Sequence, residues 1–374
     1  MALHGISLLP DCAPQERSAS EYYRDVLTLA RQADAWGMSH VKMTEHYLHP
    51  YGGYCPSPLT FLTAVAARTT SIRLMTGAAI PAFHHPVQLA ATAAMVDVLS
   101  GGRLDLGLGR AWLPYEFETF GVPMGESRAR YVATVEAVRR LWTGRPVSED
   151  TPFFSYTDAV SHPSPVQDPP PLWGAAVRSP ESFEWLARND IGLMMSVPPL
   201  ARDYPLTRQM VALYRAEHAR VHGGATAPRV ALSLPLYVGR DDRSAFAQAT
   251  GHHRRYLDVW RSAISSWSQE ACADYPGYEQ MAEHARTMGD VDLRTDGTAV
   301  VGGPGRVAER IEELQRDLDV DVFLWQVDFG GQDLASMTGS LGRLVDDVLP
   351  RLTQPGPAVA PVADLAPDRT PVPA

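Results

Sequence analysis

Short apolar runs alternate along the chain with longer segments in which apolar residues recur every three or four positions, the rhythm of βα units around a parallel sheet. The first unit sets the pattern. Residues 3–9 read as a strand, Ser18 and Glu21 form a capping box, and Tyr22, Val26, Ala30, Ala33 and Trp36 share one helical face that Gly37 ends. Further strands are expected at 39–44, 72–80, 103–109, 172–177, 191–197, 229–238 and 320–327. Helices are expected behind the cap Ser57 with Pro58 in its first turn, over 86–99, 126–142, 180–189 and 203–221, from Asp241, over 305–318, and on to about 350. Eight strands suit the α/β class and a closed (β/α)8 TIM barrel; an open doubly wound sheet shares the same rhythm.

Two stretches break the pattern. Residues 144–170 are rich in Pro, Ser and Asp and read as an irregular insertion, and 262–297 form a second one. The expected organisation is one catalytic barrel domain over 1–353, followed by a disordered Pro/Ala-rich tail at 354–374.

Composition narrows the function classes. A chain of 374 residues fits one barrel with insertions, and 45% hydrophobic with 20% charged residues is ordinary for a globular protein. A formal net charge of -10 without a basic run argues against a nucleic-acid surface. Three widely spaced cysteines fit neither a disulfide framework nor a zinc pattern, so a reducing, cytoplasmic setting is expected. No segment reads as a signal peptide or a membrane span.

Candidate chemistry lies where strands end. Along 103–109, alternation puts Leu104, Leu106 and Leu108 toward the helices and Asp105, Gly107 and Gly109 into the barrel, where missing side chains would leave room for a flat ligand; Arg110 follows as a permanent cation. The Rossmann fingerprint is rejected, since the third glycine and the immediate helix are missing, and 302–305 read as a turn before a helix. Ser179 reads as a helix cap beside free N–H groups where a phosphate can dock. Strand parity puts Lys42, Thr44 and His46 on the face opposite Val41 and Met43, so His46 faces the mouth as a candidate acid or base. His46 and His49 lack the acidic partners of a metal site, and His252 and His253 are expected to face solvent. Trp112, Tyr115, Phe117 and Phe120 line a pocket or pack their loop over the barrel.

Taken in order, Thr44-Glu-His-Tyr47, Met75-Thr-Gly-Ala-Ala-Ile80, His85-Pro86, Leu99-Ser-Gly-Gly-Arg103 and Gly107-Leu-Gly-Arg110 resemble the luciferase-like flavin monooxygenase family. Ser179-Pro-Glu-Ser182, Val300-Val-Gly-Gly303 and Asp328-Phe-Gly-Gly331 extend the likeness across residues 1–352. By matched position the resemblance implies that Arg110, Ser179 and Ser182 hold the flavin phosphate, with Arg178 beside them where bacterial luciferases have an acidic residue. It makes His46 the first histidine of a Glu-His-His motif, with Tyr47 in place of the second, and puts Gly109 where luciferase has a reactive cysteine. It places Gly77, Ala78 and Ala79 against the flavin ring, at a non-proline cis peptide.

The implied activity is monooxygenation of a small aldehyde, ketone or natural-product intermediate by FMNH2 and O2 through a flavin peroxide, with His46 managing a proton. The implied partners are a separate NAD(P)H-dependent flavin reductase and a second copy of the chain. The competing readings are a deazaflavin-dependent dehydrogenase on the same barrel and an inactive flavin-binding subunit.

Overall fold

The apolar runs pair into one parallel ring. In the computed structural model, which describes residues 2–196, 204–270, 272–289, 291–295 and 297–352, the first strands are β1 (Leu3–Leu8), β2 (His40–Met43), β3 (Arg73–Thr76) and β4 (Leu104–Gly109). A hairpin of β5 (Val147–Asp150) and β6 (Ser155–Ala159) precedes β7 (Leu172–Ala175), β8 (Gly192–Ser196), β9 (Val230–Val238), β10 (Val300–Gly302) and β11 (Val322–Gln326). The ring runs β1-β2-β3-β4-β7-β8-β9-β11, and β11 returns to β1 with Leu3 opposite Val322. This is the closed (β/α)8 barrel, and the open sheet is excluded.

The α-helices are α1 (Ala19–Ala35), α2 (Pro58–Ala66), α3 (Pro86–Ser100), α4 (Pro114–Phe120), α5 (Ser127–Leu141), α6 (Pro180–Arg188), α7 (Tyr204–His222), α8 (Asp242–Ile264), α9 (Tyr278–Thr287), α10 (Pro304–Leu318), α11 (Leu334–Arg343) and α12 (Leu349–Leu352). The capping box of α1 forms as expected, Ser18 Oγ accepting from Glu21 N–H while the Glu21 carboxylate reaches back to Ser18 N–H. Among the described residues no helix is long and apolar enough to cross a membrane.

Several local expectations change. Residues 144–170 are not wholly irregular but carry the β5–β6 hairpin, and α9 sits inside the second insertion. The three-residue β10 pairs with the end of β9 outside the ring and is too short to give an alternation signal. His253 is buried against Phe329 and Tyr256 instead of facing solvent, because it shares a helical face with Phe246, Ala249 and Trp260 that packs over the mouth. Residues 354–374 lie outside the described residues.

Strand alternation splits the core into two layers. Outward residues, Leu104, Leu106 and Leu108 among them, meet the helices. Met75, Trp173, Met194, Ala231, Val322 and Leu324 fill the barrel interior. Because every ring strand is parallel, all C-terminal ends share one rim, where such barrels build their sites.

Candidate functional site

β4 and β7 are hydrogen-bonded neighbours with Gly109 opposite Ala175, so the residues that follow them meet at the rim. Arg110, Ser182 and Glu181 line a cavity of about 210 Å³ together with Arg128 from the start of α5. Arg128 donates from Nη2 to Ser179 Oγ at 2.8 Å and from Nη1 to Ser182 Oγ at 3.3 Å. Arg110 donates to Ser127 Oγ at 2.9 and 3.3 Å and to the Asp274 carbonyl at 3.2 Å, with its guanidinium 4.5 Å from the Tyr275 ring centre. Ser179 holds the N-cap position of α6 but caps nothing with its side chain, which instead bonds Arg128 and donates to Glu181 Oε2 at 2.5 Å. Burial and then repulsion from Arg110 depress the Arg128 pKa. The nearest carboxylate, Glu181, is 72% exposed and 3.9 Å away, so the pair of guanidiniums is only weakly neutralised. Two cations, two hydroxyls and a helix N-terminus form a donor set that fits a phosphate dianion. Arg178 does not line this cavity; its guanidinium lies against Gly277, ahead of α9.

His46 follows β2, buried at 6% exposure, with Nδ1 3.1 Å from Glu116 Oε1. The same oxygen accepts from Tyr47 N–H at 2.9 Å, and Glu116 is fully buried on α4. A carboxylate oxygen only accepts, so Nδ1 is the nitrogen that donates to Glu116, and in the neutral imidazole this leaves Nε2 as the acceptor. The imidazole is walled by Tyr51 and Trp112, at ring-centre distances of 5.2 and 6.4 Å. Glu45 turns away from this pair: it accepts from Tyr47 Oη and His84 Nε2, both at 2.7 Å, and from Ile80 N–H at 3.2 Å. Burial alone would lower the His84 pKa, but the hydrogen bond and charge of Glu45 raise it.

The Gly77–Ala78 peptide is cis. Beyond β3 the chain bends at Gly77, and Ala79 then forms an isolated bridge to β4, donating to the Gly107 carbonyl and accepting from Gly109 N–H, both at 2.9 Å. The room expected at the two glycines is therefore filled by protein. A Cβ on Gly107 would lie 1.9 Å from the Thr76 carbonyl oxygen, and one on Gly109 would lie 2.9 Å from Ala78 Cβ. These glycines let the segment 77–79 close onto β4 and present its small residues to the mouth.

Arg128, Glu116, Ser127 and Tyr275 were not legible as site residues. Each lies in a helix or insertion distant in sequence from its partner, and no motif ties Arg128 to Ser179 or Glu116 to His46. Three candidate metal ligands, Asp190, His218 and His222, converge among the described residues, but they lie before β8 and at the end of α7, away from the mouth. His49 bonds Ser262 and Tyr51 N–H and does not join His46 around a metal.

The C-terminal mouth of this (β/α)8 barrel thus carries a cluster of two arginines and two serines beside a carboxylate-anchored imidazole, the kind of polar rim on which barrel enzymes are built. The profile of the luciferase-like monooxygenase family matches residues 4–320, and the chain belongs to that family of flavin-dependent monooxygenases. It is 25% identical over 352 residues to the oxygenase component of the flavin-dependent trigonelline monooxygenase of Acinetobacter baylyi, covering 91% of this chain and 92% of that protein. The crystal structure of the monooxygenase RslO1 from Streptomyces bottropensis superposes with a TM-score of 0.81 at 32% identity, covering 93% of this chain and 99% of that one. The oxygenating constituent of the 3,6-diketocamphane monooxygenase of Pseudomonas putida, a type II Baeyer–Villiger enzyme in complex with FMN, shares the fold with a TM-score of 0.74 at 17% identity, covering 95% and 100%.

Proposed function

We propose that this chain is the oxygenase component of a two-component system. It takes FMNH2 from a separate NAD(P)H-dependent flavin reductase and uses O2 to oxidise a small organic substrate such as an aldehyde, a ketone or a natural-product intermediate. The observation that carries the reading is the cradle of Arg110, Arg128, Ser179 and Ser182, whose donors match a terminal phosphate. Bound FMN supplies the reactivity of reduced flavin toward O2.

The chain's own residues do the rest. The cradle anchors the phosphate from the β4–β7 side of the rim, and Gly77, Ala78 and Ala79 offer a flat, small-residue wall held against Gly107 and Gly109. His46 exchanges a proton with the substrate through Nε2, because Glu116 fixes Nδ1 as the donor. Tyr51 and Trp112 shield that imidazole from water. Arg178 stands at the rim as a longer-range charge. Two copies pair through the outer face of α3, where Met95, Val98 and Leu99 are 45%, 41% and 58% exposed.

The test is equilibrium titration with FMN, riboflavin and a deazaflavin cofactor, followed by single turnover of the preformed reduced complex with O2. FMN should bind more tightly than riboflavin by the contribution of the phosphate. Binding of the deazaflavin in preference to FMN, without O2 consumption, would replace this reading by a dehydrogenase.

A further inference from the structure

At the floor of the mouth, three polar side chains share one level of the barrel. Ser7 is in register with Gln326 on β11 and with Lys42 on β2. Their apolar neighbours Ile6, Val41, Met43, Phe323 and Trp325 pack outward against the helices, so alternation turns Ser7, Lys42 and Gln326 inward. Met75 on β3 is in register with Lys42 and adds an apolar side chain at the same level, while Val322, Leu324 and the rest of the apolar plug fill the interior below. An acceptor for these groups has to arrive from the mouth.

The three are 1%, 5% and 6% exposed, yet their donors are poorly matched. Among the described residues Lys42 Nζ reaches one acceptor, Ser7 Oγ at 3.1 Å, leaving two of the three ammonium N–H groups without one. Gln326 Nε2 has no hydrogen-bond partner among the described residues. Asp328, the nearest buried carboxylate above, does not answer them, for its oxygens accept from Leu9 N–H at 3.0 and 3.2 Å and from Tyr22 Oη at 2.8 Å. Burial pushes the Lys42 pKa down to about 8, with Asp328 opposing, so the amine is still mostly charged at neutral pH. The Lys42 stem packs directly over Gly77, where a Cβ would lie 2.0 Å from Lys42 Cε. A buried cation with open donors and an orphaned amide beside it costs stability unless something supplies acceptors.

We propose that Ser7, Lys42 and Gln326 form an anion receptor at the floor of the mouth, which binds a delocalised anionic acceptor group carried by the ligand filling the barrel. That group is either the anionic pyrimidine edge of the reduced flavin or a carboxylate of the substrate. The inference rests on the flavin reading above and adds a charge preference to it.

The experiment uses the full chain and measures dissociation constants for oxidised FMN, for reduced FMN under anaerobic conditions, and for benzoate as a carboxylate probe. Parent protein is compared with Lys42→Met, Lys42→Arg and Gln326→Leu. If the ring is the anion, Lys42→Met weakens reduced FMN about tenfold or more relative to oxidised FMN, moving the bound flavin's midpoint potential to more negative values, and Lys42→Arg restores most of the preference. If the substrate carries the anion, benzoate affinity falls by a similar factor and the reduced-to-oxidised ratio stays constant. Gln326→Leu removes a neutral donor and gives a smaller loss in the same direction, so the question stays answerable if Lys42→Met does not fold. Unchanged ratio and unchanged benzoate affinity in variants that bind oxidised FMN normally would overturn the receptor. Failure of the parent to bind FMN at all would sink the flavin reading instead, and benzoate binding to the cofactor-free chain would then decide the receptor alone.

Discussion

Replacing Arg128 by Ala should weaken FMN binding without weakening the fold. Arg128 touches both serines of the α6 N-terminus and shares the cavity with Arg110. A hydrogen bond to a charged group contributes about 1.5–3 kcal/mol. The Arg128 side chain is 32% exposed, so solvent screens part of that and the lower end applies, about 1.5–2 kcal/mol, equivalent to about 10- to 30-fold in Kd. Ser179→Ala and Ser182→Ala remove neutral donors and should cost about 0.5–1.5 kcal/mol each. Because Arg128 also orients both hydroxyls, a double variant with Ser179→Ala should lose less than the sum of the single losses. In the ligand-free protein Arg128 sits beside Arg110, and removing one of two like charges should leave Tm unchanged or slightly higher. The assay is titration with FMN and with riboflavin, which lacks the phosphate. The argument requires that Arg128→Ala weaken FMN and spare riboflavin. Equal losses for both ligands, or no loss for FMN, would show that the cavity does not hold the phosphate.

Other positions carry their own expectations. His46→Ala should slow single-turnover oxidation about 10²- to 10⁴-fold with FMN affinity nearly intact, and turnover at the parental rate would remove His46 from the chemistry. Glu116→Gln should lower the same rate and move its pH profile, since it alters the group that orients His46; a stability change with an unmoved profile would mark Glu116 as structural only. Gly107→Ala should cost about 1–3 kcal/mol or more through collision with the Thr76 carbonyl, whereas Gly251→Ala in α8, where nothing lies within 4 Å, should raise Tm slightly. Asp34 is partly buried, which by itself would raise its pKa, but bonds from the Ser71 hydroxyl and from the N–H groups of Thr70, Ile72 and Ser71 hold it well below the usual carboxylate range. Its folded pKa lies below the unfolded value, so the stabilisation is present above about pH 4 and is lost as pH falls toward the folded pKa. Asp34→Asn should therefore lower stability by about 1–2 kcal/mol at pH 7, with the gap to the parent closing on acidification in thermal melts.

Local pattern determined much of this protein. Alternation in 103–109 correctly sent Leu104, Leu106 and Leu108 to the helices, and the parity of Val41 and Met43 against Lys42 turned Lys42 into the barrel, because the two-residue period of a strand is a local property. Helix ends were equally legible where one side chain closes on its own backbone, as at Ser18 and Glu21. Tertiary structure decided what depends on contacts between distant segments. Ser179 looked like a cap, yet its hydroxyl is taken by Arg128, fifty-one positions away, because neighbouring β4 and β7 deliver α5 and α6 to one edge. Gly107 and Gly109 looked like open space, yet closure of the ring brings residues 76–79 into it. His253 looked like a surface residue because the roof that buries it is built from Phe329, far along the chain. Sequence period fixes which face a side chain occupies, while strand pairing and barrel closure choose what meets that face, and the Arg128–Ser179 and His46–Glu116 contacts are products of that assembly.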